Sequence, residues 1–241
     1  MNTAEYLDVL ESESDLLLAA AGAVPLDTPV AHCGDWTMAD LLGHQAFVWG
    51  FATANVAAGG EKTPPATAKP DDESKMIEWA ASVRATMLET FRAADPDAAA
   101  WSFAPPFQTA GFWQRRMMAE TIVHRWDAEA AAGTSNPIAP EFATEGIDEY
   151  TEVGLRFSSG RPNREYPANS IHLHCTDTAG EWVIVGTDGP DFTVTREHAK
   201  GDAAVRGTAE ALLLWIWGRP GPDVEVLGDE AVATTWRELA P

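Results

Sequence analysis

Apolar side chains recur at helical spacing through the first half of the chain, then give way near residue 137 to short runs of strand character. Over residues 3–22, Leu7, Leu10, Leu17, Leu18 and Ala21 keep a helical period, interrupted at Ser14, and Gly22 stands where a helix would end. A loop with Pro25 and Pro29 follows. Thr37, with Asp40 three residues on, has the form of a capping box, which predicts a second helix from Met38. Leu41, Leu42, Gln45, Val48, Trp49 and Ala52 carry its period. Residues 59–70, rich in Gly, Pro, Thr and Lys, read as a loop. Met76, Trp79, Ala80, Val83, Met87 and Phe91 mark a third helix over 72–94, which Asp95-Pro96 stops because the residue before proline is steered out of the α region. A fourth helix is predicted over 108–132, closed by Gly133. Four helices with intervening loops predict a four-helix bundle.

The pattern changes after Asn136-Pro137-Ile138-Ala139-Pro140, and the domains are drawn at 1–138 and 139–241. A helix over 141–157 leads into strands at 170–176, 182–186, 192–196 and 203–206, separated by the turn signals Asp177-Thr178-Ala179-Gly180 and Asp188-Gly189-Pro190. A helix at 208–217, a strand at 224–227 and a helix at 229–239 complete the second domain. Its predicted class is α+β with a mostly antiparallel sheet.

Charge narrows the function classes. The formal charge is −21, from 37 acidic against 16 basic residues. Nucleic acid and anionic membrane both need clustered Lys and Arg, so neither is an expected partner. A small anionic substrate would need a local arginine to reverse the field. Two cysteines, Cys33 and Cys175, are too few for a disulfide framework. No apolar run approaches the length of a membrane span, and Met1 to Tyr6 lacks the basic start of a signal peptide. The expectation is a reduced, cytoplasmic protein, monomeric or homodimeric.

Candidate chemistry centres on the fourth helix. Glu120 and His124 lie four apart, so their side chains stack on one helical face. A carboxylate and an imidazole at that spacing can chelate one metal ion, or can simply pair along the helix. His44 lies two turns into the second helix, on its apolar stripe, where an imidazole needs a partner. His44, Glu120 and His124 together make a two-nitrogen, one-oxygen set that suits zinc, with other divalent ions as alternatives, and leaves a position open for water or substrate. His172 and His174, two apart on one strand, share a face and could clamp a metal, but no further ligand accompanies them in the sequence. Cys33 reads as an inert buried thiol or a redox thiol. Trp36, Trp49, Trp113 and Trp126 read as core ahead of the alternative, a substrate wall. Arg115 and Arg116 read as solvated, or as facing the bundle mouth. Asp127 reads as a surface acid, or as an acceptor orienting a ligand histidine.

Three blocks resemble the mycothiol-dependent maleylpyruvate isomerase family. They are Cys33-Gly34-Asp35-Trp36-Thr37 with Asp40-Leu41-Leu42-Gly43-His44, then Glu120-Thr121-Ile122-Val123-His124-Arg125-Trp126-Asp127, and Val205-Arg206-Gly207 through Leu214-Trp215-Ile216-Trp217-Gly218-Arg219. The resemblance spans the chain in the family's order. It implies a DinB-like bundle followed by a domain similar to sterol-carrier folds, with zinc held by His44, Glu120 and His124. It also implies mycothiol as the thiol cofactor and an activity-supporting arginine in the second domain, for which Arg219 is the best match and Arg206 the next. The implied reaction is addition of a thiolate to the double bond of a cis-enedione acid, rotation about the resulting single bond, and expulsion of the thiolate. A thiol bound to zinc is deprotonated at neutral pH, and an arginine can hold a carboxylate bidentately and stabilise an enolate. Stopping after addition would make the protein a mycothiol S-transferase. A non-catalytic protein, with a structural metal and a small-ligand site, is the reading from another class.

Overall fold

A computed structural model of the chain describes residues 1–66, 68–157 and 165–240; residue 67 of the predicted 59–70 loop lies outside them. The chain forms two compact units, Met1–Asn136 and Pro137–Pro241. The first is helical. Its four long helices are α1 (Thr3–Gly22), α2 (Met38–Ala58), α3 (Met76–Ala93, entered through a 3₁₀ turn at Glu73–Lys75) and α4 (Ala110–Ala132). The ends obey local chemistry. Thr37 and Asp40 form the predicted capping box, each side chain accepting the other's backbone N–H. Thr109 caps α4, and Gly133 beyond its last turn takes φ +69°, a left-handed conformation that glycine adopts without penalty.

Helix α1 packs on α4 and α3, and α2 packs on α3 and α4. Helix α4 is buried around most of its circumference, so it carries polar groups into the interior. Arg125 is fully buried and donates from Nε to Glu13 Oε2 of α1 and from Nη1 to Glu129 Oε2, both at 2.7 Å. One guanidinium thus joins α1 to α4 through two carboxyl groups, the hydrogen-bonded arrangement in which a charge is tolerated in a core. The interruption of the α1 period at Ser14 has a similar origin. Ser14 is buried, and its hydroxyl accepts from Arg84 Nε of α3 at 2.5 Å.

The second unit opens with α5 (Pro140–Glu149), which runs through a π turn (Tyr150–Gly154) into the short α6 (Leu155–Phe157) where one helix was predicted. Five strands follow: β1 (Ser170–Cys175), β2 (Glu181–Gly186), β3 (Phe192–Thr195), β4 (Ala203–Gly207) and, after helix α7 (Ala209–Ile216), β5 (Glu225–Gly228). Helix α8 (Glu230–Arg237) is the last element. The sheet order is β3-β2-β1-β4-β5, with β1 and β4 parallel and the other three pairings antiparallel. The sheet is therefore mixed. The parallel pair arises because β4 returns across the meander to lie beside β1, which no hairpin signal could announce. Ile171, Leu173, Trp182, Ile184 and Val205 share one buried face, while His172, His174 and Glu181 share the other. Trp182 Nε1 donates to Asp148 Oδ1 of α5 at 2.7 Å, fixing β2 to that helix.

Candidate metal centre

Helices α2 and α4 bring His44, Glu120 and His124 together, with one possible ligand atom from each lying within 4.8 Å of the others. Their approach is fixed beside the site by Thr121, whose hydroxyl accepts from Gln45 Nε2 at 3.2 Å and from Trp49 Nε1 at 3.1 Å. All three of those residues are fully buried. The polar cross-link therefore sets the rotation of α2 against α4, one residue along from Glu120.

His44 Nε2 lies 3.0 Å from Glu120 Oε1, and the rings of His44 and His124 meet edge to face at 5.0 Å. His124 Nδ1 lies 3.0 Å from Asp127 Oδ2. A carboxylate accepting from Nδ1–H fixes the tautomer that keeps Nε2 as a lone-pair donor, the usual outer-shell arrangement of a metal-bound histidine. Asp127 is buried at 1% exposure, so the surface-acid reading does not hold. It also accepts from Cys33 Sγ at 3.3 Å, and Cys33 is half-buried rather than enclosed. Cys33, His124 and Asp127 form a second donor group that shares His124, with the Asp127 contact using the Nδ1 side of the ring.

For two further residues the first of their two sequence readings does not hold. Arg116 is buried, and its Nη2 lies 2.7 Å from Glu120 Oε2, one helical turn away. Burial pushes the Glu120 carboxyl up, but the Arg116 charge, the His44 hydrogen bond and the nearby imidazoles outweigh it and hold the group well below the usual carboxylate range. Trp36 is half-exposed and packs its ring 4.9 Å from that of His44 and 6.2 Å from that of His124. It walls the site instead of filling the core. By contrast Trp49 and Trp113 are core, as read. The Arg116 and Asp127 contacts were latent in the sequence as neighbours of Glu120 at i−4 and of His124 at i+3.

The donor set fits a divalent ion of the zinc class: two imidazoles, one ionised carboxylate, and an outer acceptor on one of the rings.

The second unit holds both candidate arginines. Arg219 is buried, donates from Nη1 to the Trp217 carbonyl at 2.7 Å, and lies over the Trp217 ring. Arg206, on β4, is exposed and lies 3.4 Å from Glu225 of β5.

The sequence matches the Mycothiol maleylpyruvate isomerase N-terminal domain over residues 7–129 and the MDMPI C-terminal domain over residues 137–235. The chain belongs to the mycothiol maleylpyruvate isomerase family. That family is one of enzymes. Two solved structures share the fold: a mycothiol-dependent maleylpyruvate isomerase, at 10% identity and TM-score 0.56, and a histidine-to-alanine mutant of such an enzyme, at 11% and 0.58. Each alignment covers 94% of this chain and 93% of the other. No protein of curated function matches the chain. Among the described residues no helix is long and apolar enough to cross a membrane.

Proposed function

We propose that this chain is a zinc-dependent, mycothiol-using enzyme that converts a cis-enedione acid of the maleylpyruvate type to its trans isomer. The observation that carries the reading is the convergence of His44, Glu120 and His124, with the far nitrogen of His124 already engaged by Asp127. Zinc, when bound there, would supply Lewis acidity and keep a coordinated thiol ionised at neutral pH. The chain's own residues prepare that chemistry. Arg116 and His44 hold Glu120 in its anionic form, the form that can ligate. Asp127 presents the correct nitrogen of His124. Trp36 lays an apolar wall beside both imidazoles, which limits water on that side. An enedione acid brings a carboxylate to bind, and Arg219, with Arg206 as the alternative, is assigned to that anion and to the negative charge developing on the carbonyl oxygen.

The test has two stages on tag-free protein. Zinc per chain is measured by mass spectrometry of the metal for the parent, His44→Ala and His124→Ala, and each variant is expected to fall by about one ion per chain. Conversion of an enedione acid is then followed with and without mycothiol. Thiol-dependent release of the trans acid supports the isomerase. A stable thiol conjugate would make the protein a transferase, and a parent that takes up no zinc at His44 and His124 after reconstitution would sink the enzyme mechanism. Glu120→Gln should abolish turnover while leaving a folded protein; a melting temperature that collapses with the metal would instead mark the ion as structural.

A further inference from the structure

His172 of β1 is 6% exposed on the sheet face opposite the hydrophobic core, and its Nε2 is buried without a hydrogen bond. Its neighbours account for it. His174 lies two residues along the same strand and therefore on the same face. The antiparallel register sets Glu181 of β2 directly opposite His174. His198, from the segment that follows β3, arrives over the same spot. The three imidazole rings stand 5.6 to 5.8 Å from one another and are turned 70° to 82° apart. One possible ligand atom from each of the four residues lies within 4.8 Å of the others.

The atoms converge as ligands do, not as hydrogen-bonded pairs do. His174 Nδ1 lies 2.7 Å from Glu181 Oε1, yet it is a buried atom without a hydrogen bond of acceptable geometry. His172 Nε2 is buried and equally unbonded, 3.7 Å from Glu181 Oε2. Only His198 Nδ1 meets the carboxylate in bonding geometry, at 3.0 and 3.1 Å. Glu181 pairs with His172 and His174 as an anion only when the rings are protonated; as neutral rings they turn lone pairs and a carboxylate towards one point. A cation at that point satisfies them together.

We propose that His172, His174, Glu181 and His198 form a second metal site, independent of the one between α2 and α4, that takes a divalent ion of the zinc class. Three imidazoles and a carboxylate are borderline ligands, and four protein donors close a tetrahedral shell, which is the pattern of a structural site. The ion ties the segment after β3 to the face of β1 and β2. That segment continues through Lys200, Gly201 and Asp202 along a cavity of about 480 Å³ beside His172, so the clasp also fixes one wall of that cavity. Gly201 shows how closely it runs to the sheet: a Cβ there would sit 2.7 Å from the Ala203 carbonyl oxygen and 3.1 Å from the His172 backbone nitrogen. The sequence displayed only the His172-His174 pair, because Glu181 reaches it through strand register and His198 through the path of the segment after β3.

The experiment separates the two sites. Tag-free full-length protein carrying His44→Ala and His124→Ala is titrated with zinc, and with cobalt for the visible band of a tetrahedral complex. About one ion per chain and a tetrahedral cobalt spectrum are expected. Adding His198→Ala, at a largely exposed position where folding is not at risk, should weaken affinity by more than ~100-fold, since loss of an outer-shell partner alone costs 10–100-fold. Glu181→Gln is the second variant and should also weaken binding. Failure of the doubly substituted protein to take up zinc would overturn the proposal, as would uptake that His198→Ala and Glu181→Gln leave unchanged. Neither result bears on zinc at His44, Glu120 and His124, which the reciprocal variant, His198→Ala in the otherwise unaltered chain, reports by itself.

Discussion

Asp127 offers the sharpest test of how the first site is prepared. Its carboxylate is 1% exposed, 3.0 Å from His124 Nδ1, and accepts from Cys33 Sγ at 3.3 Å. Asp127→Asn keeps the shape and one acceptor oxygen but removes the charge. A hydrogen bond to a charged partner contributes roughly 1.5–3 kcal/mol against 0.5–1.5 kcal/mol for a neutral one, so the imidazole loses about 1–1.5 kcal/mol of support. At about 1.4 kcal/mol per decade, zinc affinity should fall about tenfold. Asp127→Ala removes the acceptor entirely and frees the ring to turn, which extends the loss towards ~100-fold, the upper end for outer-shell partners. Affinity is measured by competition with a chromophoric chelator at fixed pH, with the second site disabled by His198→Ala. The melting temperature of the metal-free variants controls for folding. Unchanged zinc affinity in both variants, with the fold intact, would refute the claim that Asp127 sets the tautomer of His124.

Three further predictions concern the scaffold that presents the ligands. Arg125→Ala removes the guanidinium shared by buried Glu13 and Glu129, leaving Glu129 only its Asn136 donors, and should cost about 3–5 kcal/mol in urea unfolding, far more than replacement of all three by apolar residues of similar volume. Thr121→Val leaves Gln45 and Trp49 without the hydroxyl acceptor between α2 and α4, and should cost about 1–3 kcal/mol for each donor left unpaired, read from the same unfolding curves. Asp40 is held below the usual carboxylate range by the backbone N–H of Thr37 and by its hydroxyl. Its contribution is therefore present above the unfolded value near pH ~3.9 and is lost as pH falls through the folded value. The stability gap between parent and Asp40→Asn, on the order of 0.5–1 kcal/mol at neutral pH for an exposed cap, should close in acid; a gap that stays constant would contradict the cap's ionic character.

What could be read from the chain divides along the range of the physics. The capping box at Thr37 and Asp40 starts α2 where the sequence places it, and that start sets His44 on the face turned to α4. Glu120 and His124 share a helix face by spacing alone. Those are local rules, and they bring the first site into view. The charged interior of α4 is different. Arg116 and Asp127 can be read as solvated in the linear sequence because burial depends on which neighbours cover them, and α4 is covered by both α1 and α2. Ser14 reads as a flaw in an apolar stripe until Arg84 of α3 arrives to use it.

The second unit shows the same boundary from the other side. Each strand was visible from its composition, and the hairpin pairings followed from turn signals. The parallel pairing of β1 with β4 was not visible, because it depends on where a crossover returns. Register has the same non-local character. His174 faces Glu181 because five residues of β1 and five of β2 align in one frame, set by the turn between them and by the burial of Ile171, Leu173, Trp182 and Ile184 on the opposite face. A slip of one residue would turn both histidines into the core and dissolve the cluster. The hydrophobic face that holds the sheet together thus also fixes the register that assembles the metal ligands, which is why a site invisible to spacing rules is specified by ordinary packing.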